Sequence, residues 1–170
     1  MSEQLPESIL EQIAKHLIRH GVEFLVIGGQ AEYLFGGHRP TFDVDLCYRR
    51  TGDNLQKLAA ALIGLQPKLR NAPPDLPFRV DARTLSMGNN FTFETSLGPL
   101  DLLGYVEPLG EYENLLQNAE KYPLLSGIEV ATIGLDDLIR VKRHIGRQKD
   151  QASLYQLLAI KAAREKFHRQ

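Results

Sequence analysis

The chain has 170 residues, 43% of them hydrophobic and 24% charged, which is enough to bury the core of one globular domain. Its 20 basic and 21 acidic side chains nearly cancel, so the overall charge does not indicate nucleic-acid binding, and any such contact must come from a local patch. The single cysteine, Cys47, excludes an intrachain disulfide and argues against a zinc cluster. We expect it to be a small core residue.

Membrane proteins and histidine metal sites are also disfavoured. The sequence does not open with a charged-then-apolar signal segment, and no uninterrupted apolar run approaches the ~20 residues of a membrane span. We therefore expect a cytoplasmic protein without a membrane partner. The four histidines considered as ligands lack metal-binding spacing with one another: His16, His20, His38 and His144.

The first third of the chain alternates predicted helices and strands. Apolar residues at helical spacing predict a first helix over 6–21, with Ser2 or Pro6 at its start and Gly21 at its end. A buried strand, a short helix that starts on two glycines and a second strand are then predicted over 22–29, 30–37 and 41–50. Asp53 is expected to cap a third helix over 55–65.

The remainder begins with a proline-rich segment, 66–77, which is expected to be a loop or flap. Three strand-like runs follow, and a turn near Gly98 and Pro99 would make the last two antiparallel neighbours. An exposed helix, another strand and two helices that break at Gly146 complete the chain. The predicted ranges are 78–83, 89–98 and 98–106 for the three strand-like runs, then 111–122, 127–135, 135–146 and 149–170.

This order predicts an α/β (α+β) fold in which a mixed central sheet is flanked by helices and ends in a helical C-terminal part. We expect a single compact domain with a core over 1–133 and a helical extension over 134–170 packed on that core. Three aromatic residues of the middle segment are expected to pack in the core or sheet rather than to stack on bases: Phe78, Phe91 and Phe93.

Two carboxylates interrupt the second apolar strand. Asp43 and Asp45 are two residues apart, so on a strand they point to the same face, ~7 Å apart. Unpaired, they would repel each other and be costly to desolvate, whereas Mg²⁺ accepts one or two carboxylates together with substrate phosphates. Asp101 lies in another apolar strand, and if the two strands are neighbours, three carboxylates converge and can hold two metal ions for a displacement on phosphorus.

The glycine pair Gly28–Gly29 follows the first apolar strand, at the expected start of a helix. Free backbone N–H groups there would let a phosphate approach closely. Arg39 and Thr41, just before the aspartates, would add a guanidinium and a hydroxyl to a triphosphate site.

Each of these features also has a structural explanation. A glycine pair after a strand is usually a turn, and a D-x-D pattern is often an exposed strand face. Asp101 alone would suit a turn or a cap. Their joint occurrence, with both aspartates flanked by apolar residues, favours a functional site.

The pattern of GG, thirteen residues, DVD and a later LDLLG resembles the nucleotidyltransferase superfamily of polymerase-β type. Within it, VIGGQAEYLFGGHRPTFDVDL is similar to the bacterial AbiEii/MenT-like branch, where R-x-T-x-D-[IV]-D-L is characteristic. The resemblance implies that Gly28 and Gly29 contact the nucleotide phosphates and that Asp43, Asp45 and Asp101 are the metal ligands. It also implies that Asp101 is the base that takes a proton from the acceptor hydroxyl.

The basic segment RVKRHIGRQK, 140–149, completes the candidate site. It resembles the K-x-x-x-x-R-x-K-D tail of that branch, with Lys142, Arg147, Lys149 and Asp150 at the matching positions. Lys142 and Lys149 are expected to reach the triphosphate and to neutralise charge on the leaving pyrophosphate, while the other cations would track an RNA backbone. The alternative is a solvated helix face.

We therefore expect an enzyme that uses Mg²⁺ or Mn²⁺ to transfer a nucleoside monophosphate from an NTP to a hydroxyl, with release of pyrophosphate. The resemblance favours RNA, above all a tRNA 3′ end, as acceptor, and a toxin that has a cognate antitoxin as partner. A protein or a small antibiotic is the alternative acceptor, since the chain is too short for a large second domain that would hold a whole tRNA. A catalytically silent binding or regulatory module is the other alternative, although all three acids are retained.

Overall fold

The computed structural model describes residues 5–38 and 41–169, and it contains seven strands and seven α-helices in those ranges. The strands are β1 Phe24–Ile27, β2 Val44–Tyr48, β3 Lys68–Leu69, β4 Asn90–Thr95, β5 Gly98–Leu103, β6 Glu120–Pro123 and β7 Glu129–Thr132. The helices are α1 Ile9–Arg19, α2 Gly28–Leu34, α3 Gly52–Ile63, α4 Ala82–Met87, α5 Tyr112–Leu116, α6 Leu135–Ile145 and α7 Gln151–His168.

All seven strands form one mixed sheet in the order β3-β4-β5-β2-β1-β7-β6. The central strand β2 runs antiparallel to β1 and parallel to β5, and β5 returns from β4 as an antiparallel hairpin. The predicted mixed sheet with a helical C-terminal end is therefore confirmed. Every residue of β1 is buried, and in β2 only Asp45 is not fully buried, as expected for strands covered on both faces.

The helix starts follow local capping chemistry. Ser8 caps α1 in a capping box with Glu11, so the predicted start at Pro6 is wrong, and Ser2 lies outside the described residues. The cap of α3 is Thr51, which accepts from the backbone N–H of Asn54, and not Asp53. Asp53 instead lies in the first turn of α3 and its carboxylate pairs with Lys57 at 2.9 Å.

Two segments between β3 and β6 differ from their predictions. The expected strand over 78–83 is absent, because the Asp81 side chain accepts from the backbone N–H of Thr84 at 2.8 Å and starts α4 there. The predicted helix over 111–122 is only the five residues of α5, and its last part enters the sheet as β6. The predicted flap, 66–77, contributes the short edge strand β3.

The C-terminal helices break where predicted. Gly146 ends α6 in the left-handed conformation at φ 62°, which glycine adopts without strain, and a short 3-10 helix over Gln148–Asp150 leads into α7. No helix in the described ranges combines the length and the apolar character needed to cross a bilayer.

The core residues agree with the sequence in two further respects. Cys47 is fully buried on β2, as predicted. The rings of Phe78, Phe91 and Phe93 pack on one another, with centroids 5.8–6.3 Å apart, and Phe93 is fully buried. These three aromatic residues therefore belong to the sheet packing, as expected.

Candidate active site

The two central carboxylates of the site lie side by side in the sheet. Asp45 of β2 is directly opposite Asp101 of β5, and on its other side Asp45 is opposite Ile27 of β1. Residues directly opposite on neighbouring strands share a face. Asp45 and Asp101 both line a cavity of about 660 Å³ between the sheet and α6. The predicted convergence of these two aspartates is what the strand pairing produces.

The closeness of the two acids has an electrostatic consequence for Asp45. Burial raises the pKa of Asp45 to about 7, and the charge of Asp101, a shared hydrogen bond with Asp101 and the charge of Asp43 act in the same direction. Arg70 opposes the shift. Near neutral pH the pair therefore holds a proton easily, and a bound cation would displace that proton.

Arg70 was not singled out from the sequence, although it contacts this pair. It follows the edge strand β3, where its backbone N–H donates to the carbonyl of Thr92, and Thr92 is directly opposite Asp101. From that position Nη2 of Arg70 donates to Oδ1 of Asp101 at 3.0 Å and to the carbonyl of Phe93 at 2.9 Å. One oxygen of Asp101 is thus held by a guanidinium that reaches across β4.

Gly28 allows the turn from β1 into α2 to pass against Asp45. Its φ of 64° lies in the left-handed region, and a Cβ built on it would collide with Oδ2 of Asp45. The second glycine, Gly29, lies against Thr41, with only 3.0 Å between a Cβ placed there and Cγ2 of the threonine. The glycine pair, Thr41 and Asp45 are therefore brought together, as the sequence predicted.

We expect Gly28→Ala to cost about 1–3 kcal/mol of stability, because alanine adds a strained φ and a collision with the half-buried carboxylate of Asp45. Any activity should fall with it, since Asp45 must move. Gly52→Ala is the matched control: Gly52 opens α3 and has open space around its Cα. Urea unfolding measures the difference in stability between the two variants. Equal urea midpoints would show that glycine at position 28 is not needed for this turn.

Asp43 lies just before β2, so its predicted place on the strand with Asp45 is wrong, and it lines a second, polar cavity of about 410 Å³. Gln30 of α2 fixes this segment, because its Nε2 donates to the carbonyl of Thr41 at 3.1 Å and to that of Asp43 at 3.4 Å. Thr41 lines the same cavity, while the predicted ligand Arg39 lies outside the described residues. The aspartates of the D-x-D pattern thus open onto two neighbouring cavities, Asp45 on the first and Asp43 on the second.

Lys142 of α6 lines both cavities but is already paired. Its Nζ lies 2.8 Å from Oε1 of Glu32 and 3.4 Å from Oδ1 of Asp150, and its side chain is 11% exposed. Arg147 donates from Nε to the other oxygen of Asp150 at 2.6 Å. Two cations and two carboxylates therefore form one compact, neutral network that joins α2, α6 and the start of α7. Glu32 was not identified from the sequence.

Asp150 is the acceptor at the centre of this network. Burial opposes its ionisation, but the hydrogen bond from Arg147 and the charge of Lys142 outweigh burial and lower its pKa. The geometry therefore shows Asp150 orienting the two cations. Its predicted contact with nucleotide stays a prediction. Lys149 also lines the polar cavity, and it forms no ion pair with any described residue.

The donor chemistry of the site fits a hard divalent cation. Mg²⁺ takes one or two carboxylates together with substrate phosphates, and Asp45 and Asp101 are directly opposite each other on neighbouring strands. Among the described residues, no group of three or more Asp, Glu, His or Cys side chains is gathered for a metal ion. A metal contact of Asp43 therefore stays a prediction.

The two cavities share a common wall. Gly29, Lys142 and Arg147 line both of them, so both meet at the start of α2 and the end of α6. The first adds a wall of aliphatic side chains, the carboxylate pair, Glu107 and His144, while the second adds mainly polar and charged residues, among them Asp43 and Lys149. Both volumes lie within the roughly 300–1,000 Å³ typical of small-molecule sites. We call them the aliphatic cavity and the polar cavity.

Comparison with known proteins gives no sequence relative and several structural ones. No family's sequence profile and no curated protein matches the chain. Among solved structures, the lincosamide antibiotic adenylyltransferase LnuA, bound to lincomycin, superposes with a TM-score of 0.59 at 16% identity. The alignment covers 93% of this chain and 99% of that one.

Two further structures agree with that match. The antibiotic-resistance protein ANT(2″)-Ia in complex with adenylyl-2″-tobramycin gives a TM-score of 0.58 at 15% identity, over 94% of this chain and 97% of the other. A Thermotoga maritima protein, provisionally assigned as a nucleotidyltransferase, gives a TM-score of 0.56 at 13% identity, over 89% of this chain and 91% of the other. The chain therefore has the nucleotidyltransferase fold that its GG and DVD patterns predicted.

Proposed function

We propose that this protein transfers a nucleoside monophosphate from an NTP to the hydroxyl of a small molecule. The observation that carries the proposal is the pair of cavities that share Gly29, Lys142 and Arg147, because group transfer needs two substrates in contact. The polar cavity suits the triphosphate, and the aliphatic cavity suits the acceptor. The retained acids favour this activity over a silent binding module.

Different side chains of the site would accept the proton, neutralise the pyrophosphate and hold the cation. Asp101 lines the aliphatic cavity, and its carboxylate would take the proton as the acceptor oxygen bonds to the α-phosphorus. The bond from the α-phosphorus to the bridging oxygen breaks, and pyrophosphate leaves with that electron pair. Arg147 and Lys149 would offset its charge. A divalent cation on Asp45 and Asp101 would supply Lewis-acid stabilisation of the phosphoryl charge.

The aliphatic cavity favours a small acceptor over an RNA end. Unpaired RNA bases are usually held by stacking on aromatic side chains, and no Phe, Tyr or Trp is among the described residues that line this cavity. Its apolar wall consists of Ile27, Leu103, Val106, Ile133, Leu138, Val141 and Ile145. Such a wall suits the aliphatic part of a small, hydroxyl-bearing molecule.

The C-terminal cations are also less available to RNA than the sequence suggests. Besides Lys142 and Arg147, three of them are paired with acidic side chains of β6 or α6. The pairs are Arg140 with Asp137 at 3.5 Å, Lys161 with Asp136 at 2.9 Å and Arg164 with Glu120 at 2.8 Å. A tRNA acceptor, an antitoxin partner and a cytoplasmic location stay predictions from the sequence.

The proposal is tested by incubating the protein with each α-³²P-labelled NTP, Mg²⁺ and one acceptor class at a time. Lincomycin and tobramycin represent small molecules, as in two of the structural relatives. Total bacterial tRNA represents RNA, and self-labelling reports on protein hydroxyls. Label on a small molecule supports the proposal. Label on tRNA alone or on protein alone would show that the acceptor is RNA or protein and not a small molecule. A protein that binds no NTP would contradict nucleotidyl transfer itself.

Lys149→Ala is expected to weaken NTP binding about tenfold, because it removes a charge-assisted contact to the phosphates from the polar cavity. The turnover number should change less. Lys161→Ala is the matched control, since Lys161 pairs with Asp136 and lines neither cavity. Calorimetric titration with each NTP and Mg²⁺ measures the affinities. An unchanged affinity for Lys149→Ala would assign Lys149 to the solvated surface.

A further inference from the structure

Phe42 is an apolar ring in an unusual place. Its side chain is 76% exposed, immediately before Asp43, and so forgoes the gain of burying its ring. It nevertheless lines the polar cavity together with Asp43, Lys142, Arg147 and Lys149. Among the described residues that line either cavity, it is the only Phe, Tyr or Trp.

We propose that the ring of Phe42 is the stacking platform for the nucleobase of the donor NTP. This inference rests on the proposed function, and it assigns the part of the site that recognises the nucleoside. Aromatic rings stack on every base, because every base has a π-face, and exposure of one face of the ring is what such a contact requires.

Phe42 is adjacent along the chain to Asp43, which lines the same cavity. Asp43 is the next residue, with its Cα about 3.8 Å from that of Phe42. In the proposed site the α-phosphate lies between Asp43 and Asp45, and a single ribose separates that phosphate from the base. The cations of the same cavity would then hold the β- and γ-phosphates.

The chain offers a direct optical test, because it contains no tryptophan. Phe42→Trp would place a single tryptophan at the proposed platform. The matched control is Phe167→Trp, since Phe167 is also exposed, at 80%, and lies near the end of α7. The probes are the α,β-methylene analogues of ATP, GTP, CTP and UTP with Mg²⁺, in which the bond that the reaction would break is blocked.

We expect saturable quenching of the Phe42→Trp emission by the bound analogue, and no quenching of the Phe167→Trp emission. Phe42→Ala should raise the calorimetric Kd of that analogue about tenfold, at an unchanged melting temperature. If the unmodified protein binds an analogue but Phe42→Ala binds it equally well, or if the emission of Phe42→Trp is not quenched, the assignment of Phe42 as the stacking platform is wrong. The proposed function is not contradicted by either result. If the unmodified protein binds no analogue, both are overturned.

Discussion

Asp45→Asn is expected to lower the rate of divalent-dependent nucleotide transfer about a thousandfold or more. The same substitution should stabilise the metal-free protein. The loss follows because Asp45 is one of two adjacent carboxylates proposed to hold the cation, whose charge stabilisation is worth several kcal/mol. The gain follows because asparagine removes a buried charge next to Asp101.

The stabilisation should depend on pH in a defined direction. The pKa of Asp45 is raised to about 7 in the folded protein, against about 3.9 in the unfolded chain, so the folded state binds this proton more tightly. The stabilisation that the protonated Asp45 gives the folded state is complete below pH about 4 and is lost as the pH rises to about 7. The asparagine of the variant does not titrate, so the advantage of the variant should grow over that range and level off at about 1–3 kcal/mol.

Urea unfolding in EDTA at pH 5 and pH 8 measures this advantage. Asp53→Asn is the control, because the carboxylate of Asp53 is 78% exposed and distant from the pair in the sheet. Adding Mg²⁺ at pH 8 should then stabilise the unmodified protein more than the Asp45→Asn variant. An unmodified protein more stable than Asp45→Asn at pH 8 without metal would show that the Asp45–Asp101 pair is not under electrostatic stress.

Asp101→Asn is expected to lower the turnover number about a thousandfold, and to weaken Mg²⁺-dependent NTP binding less than Asp45→Asn does. Asp101 is proposed both as the base and, with Asp45, as a holder of the cation, so its loss should remove proton transfer from the acceptor and one of the two carboxylates for the cation. The phosphate contacts of the polar cavity should remain, because Asp101 does not line that cavity. The amide oxygen of asparagine can still accept from Arg70, which donates to Oδ1 at 3.0 Å, so the local fold should persist.

Steady-state kinetics with the acceptor identified by labelling, together with calorimetric NTP binding, separates these two effects. Thr92→Val is a useful control, since Thr92 is opposite Asp101 in the sheet but lines neither cavity. A variant Asp101→Asn that turns over normally, or that loses NTP affinity instead, would remove Asp101 from the role of base.

The strands β1, β2 and β5 were predictable because their signal is local, whereas the contact of Asp45 with Asp101 depends on β2 and β5 being neighbours. Apolar residues flank Asp45 and Asp101 directly, and a glycine pair follows β1. The spacing of apolar residues therefore predicts the strands that carry these residues without knowledge of the tertiary structure. The helix starts were less predictable, because Thr51 and Asp53 are both good caps two residues apart and only the backbone selects one of them.

The residues that complete the site carry no such signal. Arg70 reaches Asp101 only because β3 pairs with β4, and that depends on a two-residue strand inside a proline-rich segment. Glu32 meets Lys142 across more than a hundred residues of sequence, so their pairing is a product of the fold. The division into a core over 1–133 and an extension over 134–170 stays a prediction, although α6 lines both cavities.

We expect the polar cavity to bind an NTP next to Asp43 and Asp45. Calorimetric titration of the unmodified protein and of Asp45→Asn with the α,β-methylene NTP analogues, with and without Mg²⁺, tests it most directly. The account predicts one Mg²⁺-dependent site per chain that Asp45→Asn loses. Failure of every analogue to bind, or equal binding to both proteins regardless of Mg²⁺, would contradict it.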